Sequence, residues 1–205
     1  MSFVFPREWS EWLDRQIWPQ IHSMMFNDAY FRLMGHARGL TGSFDGPIGR
    51  LIEIGYVTSQ TIAIRRLCDQ RGDVISLWRL LTAATSDTRI REAEKKLIHE
   101  LSSELDQCNY VCRLVNTHIA HTAKNASEWN LQMRHLDTAR TAICRVAIGF
   151  ERDVLRRRSF DRCIPDSQQG DVMQDFRPWV AEDLIPKLWE FWHAHRKQHR
   201  VEIRE

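Results

Sequence analysis

Apolar residues recur at three- and four-residue spacing along most of the 205-residue chain, and this spacing limits the possible folds more than any other feature. Such spacing places the apolar side chains of a segment on one face of an α-helix. Alternating runs of β-branched residues, which would indicate strands, are nearly absent. The sequence therefore predicts an all-α protein, an antiparallel helical bundle of four principal helices with an extra C-terminal helix.

Glycine, proline and charged residues divide this periodic pattern into segments. The first helix is predicted over Pro6–His36, with a break or kink at Pro19. A second helix is predicted to end near Asp69, and the Arg71-Gly72-Asp73 sequence that follows breaks the pattern. Between these two helices a cluster of glycines predicts a linker, which contains Gly35, Gly39, Gly42, Gly46 and Gly49.

The later helices carry clear start and end signals. After a short helix near residues 75–81, Ser86 or Asp87 is predicted to cap a long third helix. This helix is expected to end soon after His121, where the sequence becomes polar. Asp137 is then predicted to cap a fourth helix. Short connections between such helices are typical of a bundle.

A proline- and glycine-containing stretch over residues 159–175 separates the fourth helix from the last periodic segment. We therefore expect a helical bundle over residues 1–158, which includes the N-terminal helix, and a C-terminal helical appendage over residues 176–205. The appendage is rich in tryptophan and too apolar to remain without contacts. It is expected to pack on the bundle or on a dimer partner.

Charge and hydropathy exclude several classes of protein. The formal net charge is only +2, so no overall electrostatic field requires nucleic acid as a partner. No apolar run approaches the roughly 18 to 20 residues that span a bilayer. Arg7 and Glu8 interrupt the region where a signal peptide would be apolar. A cytoplasmic protein without membrane association is expected.

The five cysteines form no C-x-x-C pair, and their odd number argues against a closed disulfide framework. Cys108 and Cys112, at helical i,i+4 spacing, could join His118 and His121 in a zinc site. Both cysteines lie in the apolar stripe, however, so buried core thiols are the favoured interpretation. Neither a phosphate-binding loop nor a dinucleotide motif is present. No metal and no cofactor are expected.

One stretch at the predicted end of the third helix, RLVNTHIAH over residues 113–121, carries chemistry-bearing side chains. It resembles the HEPN superfamily, whose signature is an arginine, four to six intervening residues and a histidine. Many members have Arg-Asn followed by Ala-His at a helix end. A second block, residues 64–77, looks like the second-helix region of abortive-infection-type HEPN proteins. The resemblance covers roughly residues 50–150.

The resemblance implies a metal-independent endoribonuclease of a phage-defence or toxin–antitoxin system. It also implies a homodimer with a composite cleft, and a cognate antitoxin or partner protein. In the candidate catalytic set, His121 would accept the proton of a ribose 2′-hydroxyl, and Arg113 or Arg65 would stabilise charge on the phosphate. Asn116 and His118 complete this set.

The sequence departs from the family pattern at the arginine. If Asn116 and His121 correspond to the asparagine and the histidine of the family signature, the position of the signature arginine falls on Val115. A valine side chain cannot hold a phosphate. Pairing Arg113 with His118 keeps the spacing but abandons the Ala-His alignment. On an ideal helix Arg113 and His121 diverge by about 80° and Arg113 and His118 by about 140°, which favours His121. The alternative is a catalytically inactive module that binds RNA or protein, in which a histidine simply interacts with the helix end.

Arginines outside the motif are candidates for RNA binding. Arg156, Arg157 and Arg158 belong to the densest basic cluster of the chain, at the end of the fourth helix. The competing interpretation is a favourable interaction of these cations with the helix C-terminus. Arg65 is also assigned to RNA, although its i,i+4 spacing to Asp69 is typical of a surface ion pair.

Overall fold

The computed structural model describes residues 6–42, 46–116, 131–157, 172–178 and 180–204, the side chains of 199–204 excepted. These residues form helices joined by turns, and no strand occurs among them. The predicted all-α class is confirmed, as is a helix at the C-terminal end. The antiparallel order of the bundle stays a prediction.

Within each described range, short connections join consecutive helical elements. The α-helices of the described chain are α1 (Arg7–Trp12), α2 (Trp18–Thr41), α3 (Pro47–Leu67), α4 (Leu77–Ser86), α5 (Glu92–Leu105), α6 (Asn109–Leu114), α7 (Met133–Gly149) and α8 (Ile185–Arg204). Short π-helical segments, Leu13–Ile17 and Phe150–Val154, continue α1 and α7, and 3₁₀ turns occur at Asp106–Cys108, Val172–Asp175 and Glu182–Leu184.

The region around the glycine cluster is more helical than predicted. Helix α2 continues to Thr41 and α3 begins at Pro47, so most of the cluster lies within helices. Gly42 and Gly46 have φ angles of 66° and 82°, which glycine adopts without strain. These two glycines, rather than the whole cluster, mark the connection. Pro19 does not end the first segment, because the chain stays helical there after the π-helical turn Leu13–Ile17.

The predicted third helix is interrupted, and the prediction that Ser86 or Asp87 caps it is wrong. Helix α5 begins only at Glu92, and the 3₁₀ turn Asp106–Cys108 separates it from α6. Asp87 lies at the C-terminal end of α4, where its carboxylate accepts hydrogen bonds from the guanidinium and backbone N–H of Arg89. The Arg89 hydrogen bonds lower the pKa of Asp87 to about 2. The carboxylate is therefore already engaged and caps no helix.

The predicted cap of the fourth helix is wrong for a similar reason. Helix α7 begins at Met133 with Gln132 at its N-cap, so Asp137 lies inside the helix. Its carboxylate accepts a hydrogen bond from Arg140, one turn further along. A side chain that binds its own helix in this way is not available to the helix terminus.

The chain forms two compact units, which are Met1–Ile21 with Thr61–Arg162 and His22–Gln60 with Cys163–Glu205. In the first unit, α5 packs against α4 and α7. Gly149 permits close packing there, since a Cβ at this position would lie 2.7 Å from Leu101 Cδ2. The predicted division at residues 158 and 175 stays a prediction.

The second unit has its own apolar core. Side chains of α2, of the 3₁₀ turn Val172–Asp175 and of α8 pack together, and they include Leu33, Met173 and Trp192. The C-terminal helix is thus packed on α2. Beside this core the buried carboxylate of Asp28 accepts hydrogen bonds from the Tyr56 hydroxyl at 2.5 Å and from Arg32 at 3.1 Å.

Ser76 holds the connection between α3 and α4 in the first unit. Its buried hydroxyl accepts a hydrogen bond from the Arg79 backbone N–H at 3.1 Å and so caps α4. The same hydroxyl donates to the backbone carbonyl of Asp69 at 2.5 Å. One side chain therefore fixes the start of α4 relative to the end of α3.

We expect Ser76→Ala to lower the free energy of unfolding by about 1 to 2 kcal/mol, because it removes the cap and leaves a buried carbonyl without its donor. Urea denaturation followed by circular dichroism measures the change. Ser86→Ala is the matched control at the other end of α4. Its hydroxyl is exposed and bonds only within the helix, so a change below about 0.5 kcal/mol is expected. Equal effects of the two substitutions would contradict the role assigned to Ser76.

Candidate functional site

An open cleft of about 620 Å³ lies in the first unit, between the end of α3 and the segment that contains α6. This volume falls within the roughly 300 to 1,000 Å³ of small-molecule sites. Basic, acidic and amide side chains line it together with one tryptophan, and its charged members are Arg65, Arg71, Arg113, Asp69 and Asp106.

Two parts of the predicted site meet in this cleft. Arg65, from α3, donates a hydrogen bond from Nε to Oδ1 of Asn116 at 2.6 Å. Arg113, from the last turn of α6, lines the same cleft and is exposed. Fifty-one positions separate Arg65 from Asn116 in the chain. The structure thus places the second-helix arginine beside the end of the motif segment.

Val115 does not take part in the cleft. Its side chain is only 3% exposed and belongs to the apolar core. An arginine at this position would have to bury its charge, which is costly without a partner. The position that the family signature assigns to arginine is therefore a core position in this structure. Arg113 and Arg65, in contrast, line the cleft.

Asp69 organises the arginines at the cleft. Its carboxylate accepts hydrogen bonds from the backbone N–H of Arg71 at 3.0 Å and from the Arg71 guanidinium at 3.0 to 3.2 Å. The predicted Arg65–Asp69 ion pair is present at 3.5 Å. Burial raises the pKa of Asp69, but hydrogen bonds from Arg71 and the charges of Arg71 and Arg65 outweigh it and lower the pKa. Asp69 stays ionised and holds both arginines.

Arg71 is a cleft residue that the sequence reasoning missed. In the sequence, Arg71-Gly72-Asp73 indicates only a helix break, and its arginine carries no periodic signal. Its spacing of two residues from Asp69 is the available clue, because such spacing suits a turn in which a carboxylate binds the following backbone. The hydrogen bond of Asp69 raises the pKa of Arg71, which keeps the guanidinium charged.

Two cysteines, Cys68 and Cys112, line the cleft, and the buried Cys108 lies behind them. Interaction with the Cys108 and Cys112 thiols, together with burial, raises the pKa of Cys68 well above its usual value. Cys108 and Cys144 are buried, as expected for core cysteines. Cys112 is only half-buried and lines the cleft, so the core interpretation fails for it. Within the described residues no cluster of histidines, cysteines and acids could hold a metal ion.

The basic cluster at the end of α7 binds carboxylates of its own unit. The Arg156 guanidinium lies 3.1 Å from Glu94 Oε1, and Arg157 contacts Asp14 at 2.9 Å and the buried Glu151 at 3.3 Å. Neither arginine lines the cleft. Their assignment to RNA stays a prediction that these ion pairs do not favour.

His118, His121 and Arg158 lie outside the described residues. The described part of the cleft therefore holds Arg65, Arg113 and Asn116 of the predicted site residues.

The chain matches no family model, no curated protein and no solved structure. No helix in the described ranges is long and apolar enough to cross a membrane. Fold and cleft together define an α-helical protein with an arginine-lined cleft.

Proposed function

We propose that the cleft binds the sugar–phosphate backbone of RNA and that the protein is a HEPN-like RNA-acting protein. The observation that carries the proposal is the convergence of Arg65, Arg113 and Asn116 at one open cleft. Arg65 belongs to one block of the resemblance, and Arg113 and Asn116 belong to the other. Their meeting in space supports the interpretation of both blocks as one site.

The charges of the cleft favour an anionic ligand. Among the described residues that line the cleft are three arginines and two aspartates, so positive charge is in excess. Asp69 is paired with Arg71 and Arg65, and Asp106 accepts a hydrogen bond from Asn109 at 3.0 Å. Guanidinium groups bind phosphate oxygens in a bidentate geometry. Because a guanidinium has several N–H donors, Arg65 and Arg71 can bind phosphate oxygens while they stay paired with Asp69.

Aromatic and amide groups suit a nucleotide rather than a simple phosphate. Trp78 lines the cleft, and the indole is an aromatic group on which bases of single-stranded RNA can stack. Asn109 and Asn116 add amide groups that can donate to and accept from a ribose or a base. Unpaired RNA presents these features together, since its bases can be splayed out and stacked on aromatic side chains.

The catalytic part of the proposal assigns the base to His121. A neutral histidine accepts the proton of the 2′-hydroxyl, and the 2′-oxygen forms a bond to phosphorus. The bond from phosphorus to the 5′-oxygen breaks, and the leaving oxygen takes up a proton. The products are a 2′,3′-cyclic phosphate and a 5′-hydroxyl. Arg113 or Arg65 stabilises the charge that develops on the phosphate, and His118 and Asn116 complete the set.

We expect simultaneous substitution of Arg65→Ala and Arg113→Ala to weaken binding of a short single-stranded RNA. If each arginine neutralises one phosphate, the affinity should fall about 25-fold at roughly 0.1 M salt, and the salt slope should decrease by about 1.4. Fluorescence anisotropy over a range of salt concentrations measures both quantities. A 2′-O-methylated RNA keeps binding separate from cleavage.

The matched control for this experiment is Arg66→Ala with Arg134→Ala. Both arginines are exposed, neither lines the cleft, and the change in net charge is the same. The control pair should lose less than about threefold in affinity, since only diffuse charge is removed. Equal losses in both double variants would place RNA binding elsewhere and refute the cleft.

We expect the wild-type protein to cleave RNA without divalent metal and His121→Ala to lose this activity by about 100-fold or more, as for loss of a general base. Labelled RNA resolved on a denaturing gel measures the rate, and analysis of the ends identifies the cyclic phosphate. His99→Ala replaces an exposed histidine of α5 that does not line the cleft and should keep full activity.

The result of the cleavage assay also decides between the two functional interpretations. Binding without cleavage by the wild-type protein favours the alternative, a catalytically inactive module that binds RNA or protein. Cleavage that His121→Ala retains in full would remove the assignment of the base. DNA of the same sequence lacks the 2′-hydroxyl and must stay intact if the proposed chemistry is correct.

We also propose that the protein forms a homodimer through an exposed apolar surface of α3. Ile48, Leu51 and Ile54 of α3 are 65%, 71% and 64% exposed, and apolar groups clustered on one surface are typical of a contact between proteins. We expect the wild type to sediment as a dimer and Leu51→Glu as a monomer. Leu97→Glu, at another exposed leucine, serves as control and should stay dimeric. A monomeric wild type would contradict the proposal.

The biological setting follows from the resemblance alone. We propose a cytoplasmic protein of a phage-defence or toxin–antitoxin system, with a cognate antitoxin or partner protein. The arginine-lined cleft is compatible with such a setting, because an antitoxin or partner that covers it would block access of RNA.

A further inference from the structure

Two cysteines at the cleft wall have no role in the proposed RNA binding. Cys68 follows the last turn of α3, Cys112 lies in α6, and both line the open cleft. Each thiol affects the ionisation of the other, so the two side chains lie within interaction distance. Two thiols thus lie close together at a surface that solvent reaches.

Cys112 is the thiol of the pair whose surroundings favour the ionised form. Interaction with the Cys68 thiol and the charge of Arg65 lower the pKa of Cys112, against the opposing effects of burial and of the Asp69 charge. The thiolate is the nucleophilic form of cysteine. The cleft gives an oxidant access to both thiols, and the electrostatic surroundings favour Cys112 as the attacking group and Cys68 as its neighbouring thiol.

Cys108 is unsuited to either role. It is fully buried and does not line the cleft. Its Sγ lies 3.5 Å from the backbone carbonyl of Ala139, to which it donates a hydrogen bond. A small oxidant in the cleft reaches Cys112 and Cys68 but not Cys108.

We propose that Cys112 and Cys68 form a reversible, peroxide-sensitive dithiol whose oxidised form is a disulfide across the cleft wall. The proposal is independent of RNA, because it needs only the two thiols, the cleft and a hydroperoxide. The site takes hydrogen peroxide or another small hydroperoxide as oxidant and a thiol as reductant.

The reaction balances in two steps. The Cys112 thiolate attacks one oxygen of hydrogen peroxide, the O–O bond breaks, and the departing hydroxide takes up a proton and leaves as water, which gives a sulfenic acid at Cys112. The Cys68 sulfur then attacks the Cys112 sulfur, the S–O bond breaks, and the hydroxyl leaves with the Cys68 proton as a second water. Two thiols are oxidised, and one peroxide is reduced.

Peptide mass spectrometry of the full-length protein tests the proposal. The reduced protein is treated with hydrogen peroxide, the remaining thiols are alkylated, and the digest is examined with and without dithiothreitol. We expect a cross-linked peptide pair that contains Cys68 and Cys112, a mass loss of two hydrogens, and full recovery of both thiols on reduction. Circular dichroism verifies that each variant keeps its helix content.

Three serine variants assign the roles. Cys112→Ser should abolish the disulfide and the rapid reaction with peroxide. Cys68→Ser should leave a sulfenic acid at Cys112 that dimedone traps. Cys144→Ser, at a buried cysteine of α7 outside the cleft, should behave as the wild type.

Some results would overturn the proposal. These are a disulfide between other cysteines, wild-type reaction rates in Cys112→Ser, or equal dimedone labelling of every cysteine. Because no RNA is present in any of these experiments, their failure and the failure of the RNA proposal are distinguishable.

Discussion

The ionised carboxylate of Asp69 is the interaction on which the cleft depends. It lies at the end of α3, binds the guanidinium and backbone of Arg71, and pairs with Arg65, which in turn binds Asn116. Ser76 holds the backbone of the same residue. A buried charge needs such partners, because desolvation without them would cost several kcal/mol. The requirement to satisfy one carboxylate thus aligns α3, the turn after it and the segment after α6.

The sequence predicted the helical class and the end of α3 well, because both depend on local periodicity and on a clear breaking sequence. It failed at the starts of α5 and α7. Asp87 and Asp137 are good capping residues by type, but each carboxylate binds a nearby arginine two or three positions further along. Propensity describes what a side chain can do, whereas a competing partner at short range decides what it does.

The candidate site was predictable only where a resemblance pointed to it. Arg65, Arg113 and Asn116 came from two blocks of sequence, and their proximity depends on packing that no local pattern encodes. The basic cluster illustrates the opposite case. Arg156 and Arg157 look available in the sequence, yet Glu94 and Asp14, far away along the chain, bind them. Whether a charge is available therefore depends on tertiary contacts.

Helix α6 is short and is bounded by irregular turns, with the 3₁₀ turn Asp106–Cys108 before it and π-helical backbone at Val115 and Asn116 after it. Each turn changes the angular position of the residues that follow, so Cys108 and Val115 face the core while Arg113 and Asn116 face the cleft. One added or deleted residue in the 3₁₀ turn would rotate α6 by about 100° and move Arg113 away from the cleft. The length of this turn is therefore more tightly constrained than the side chains within it.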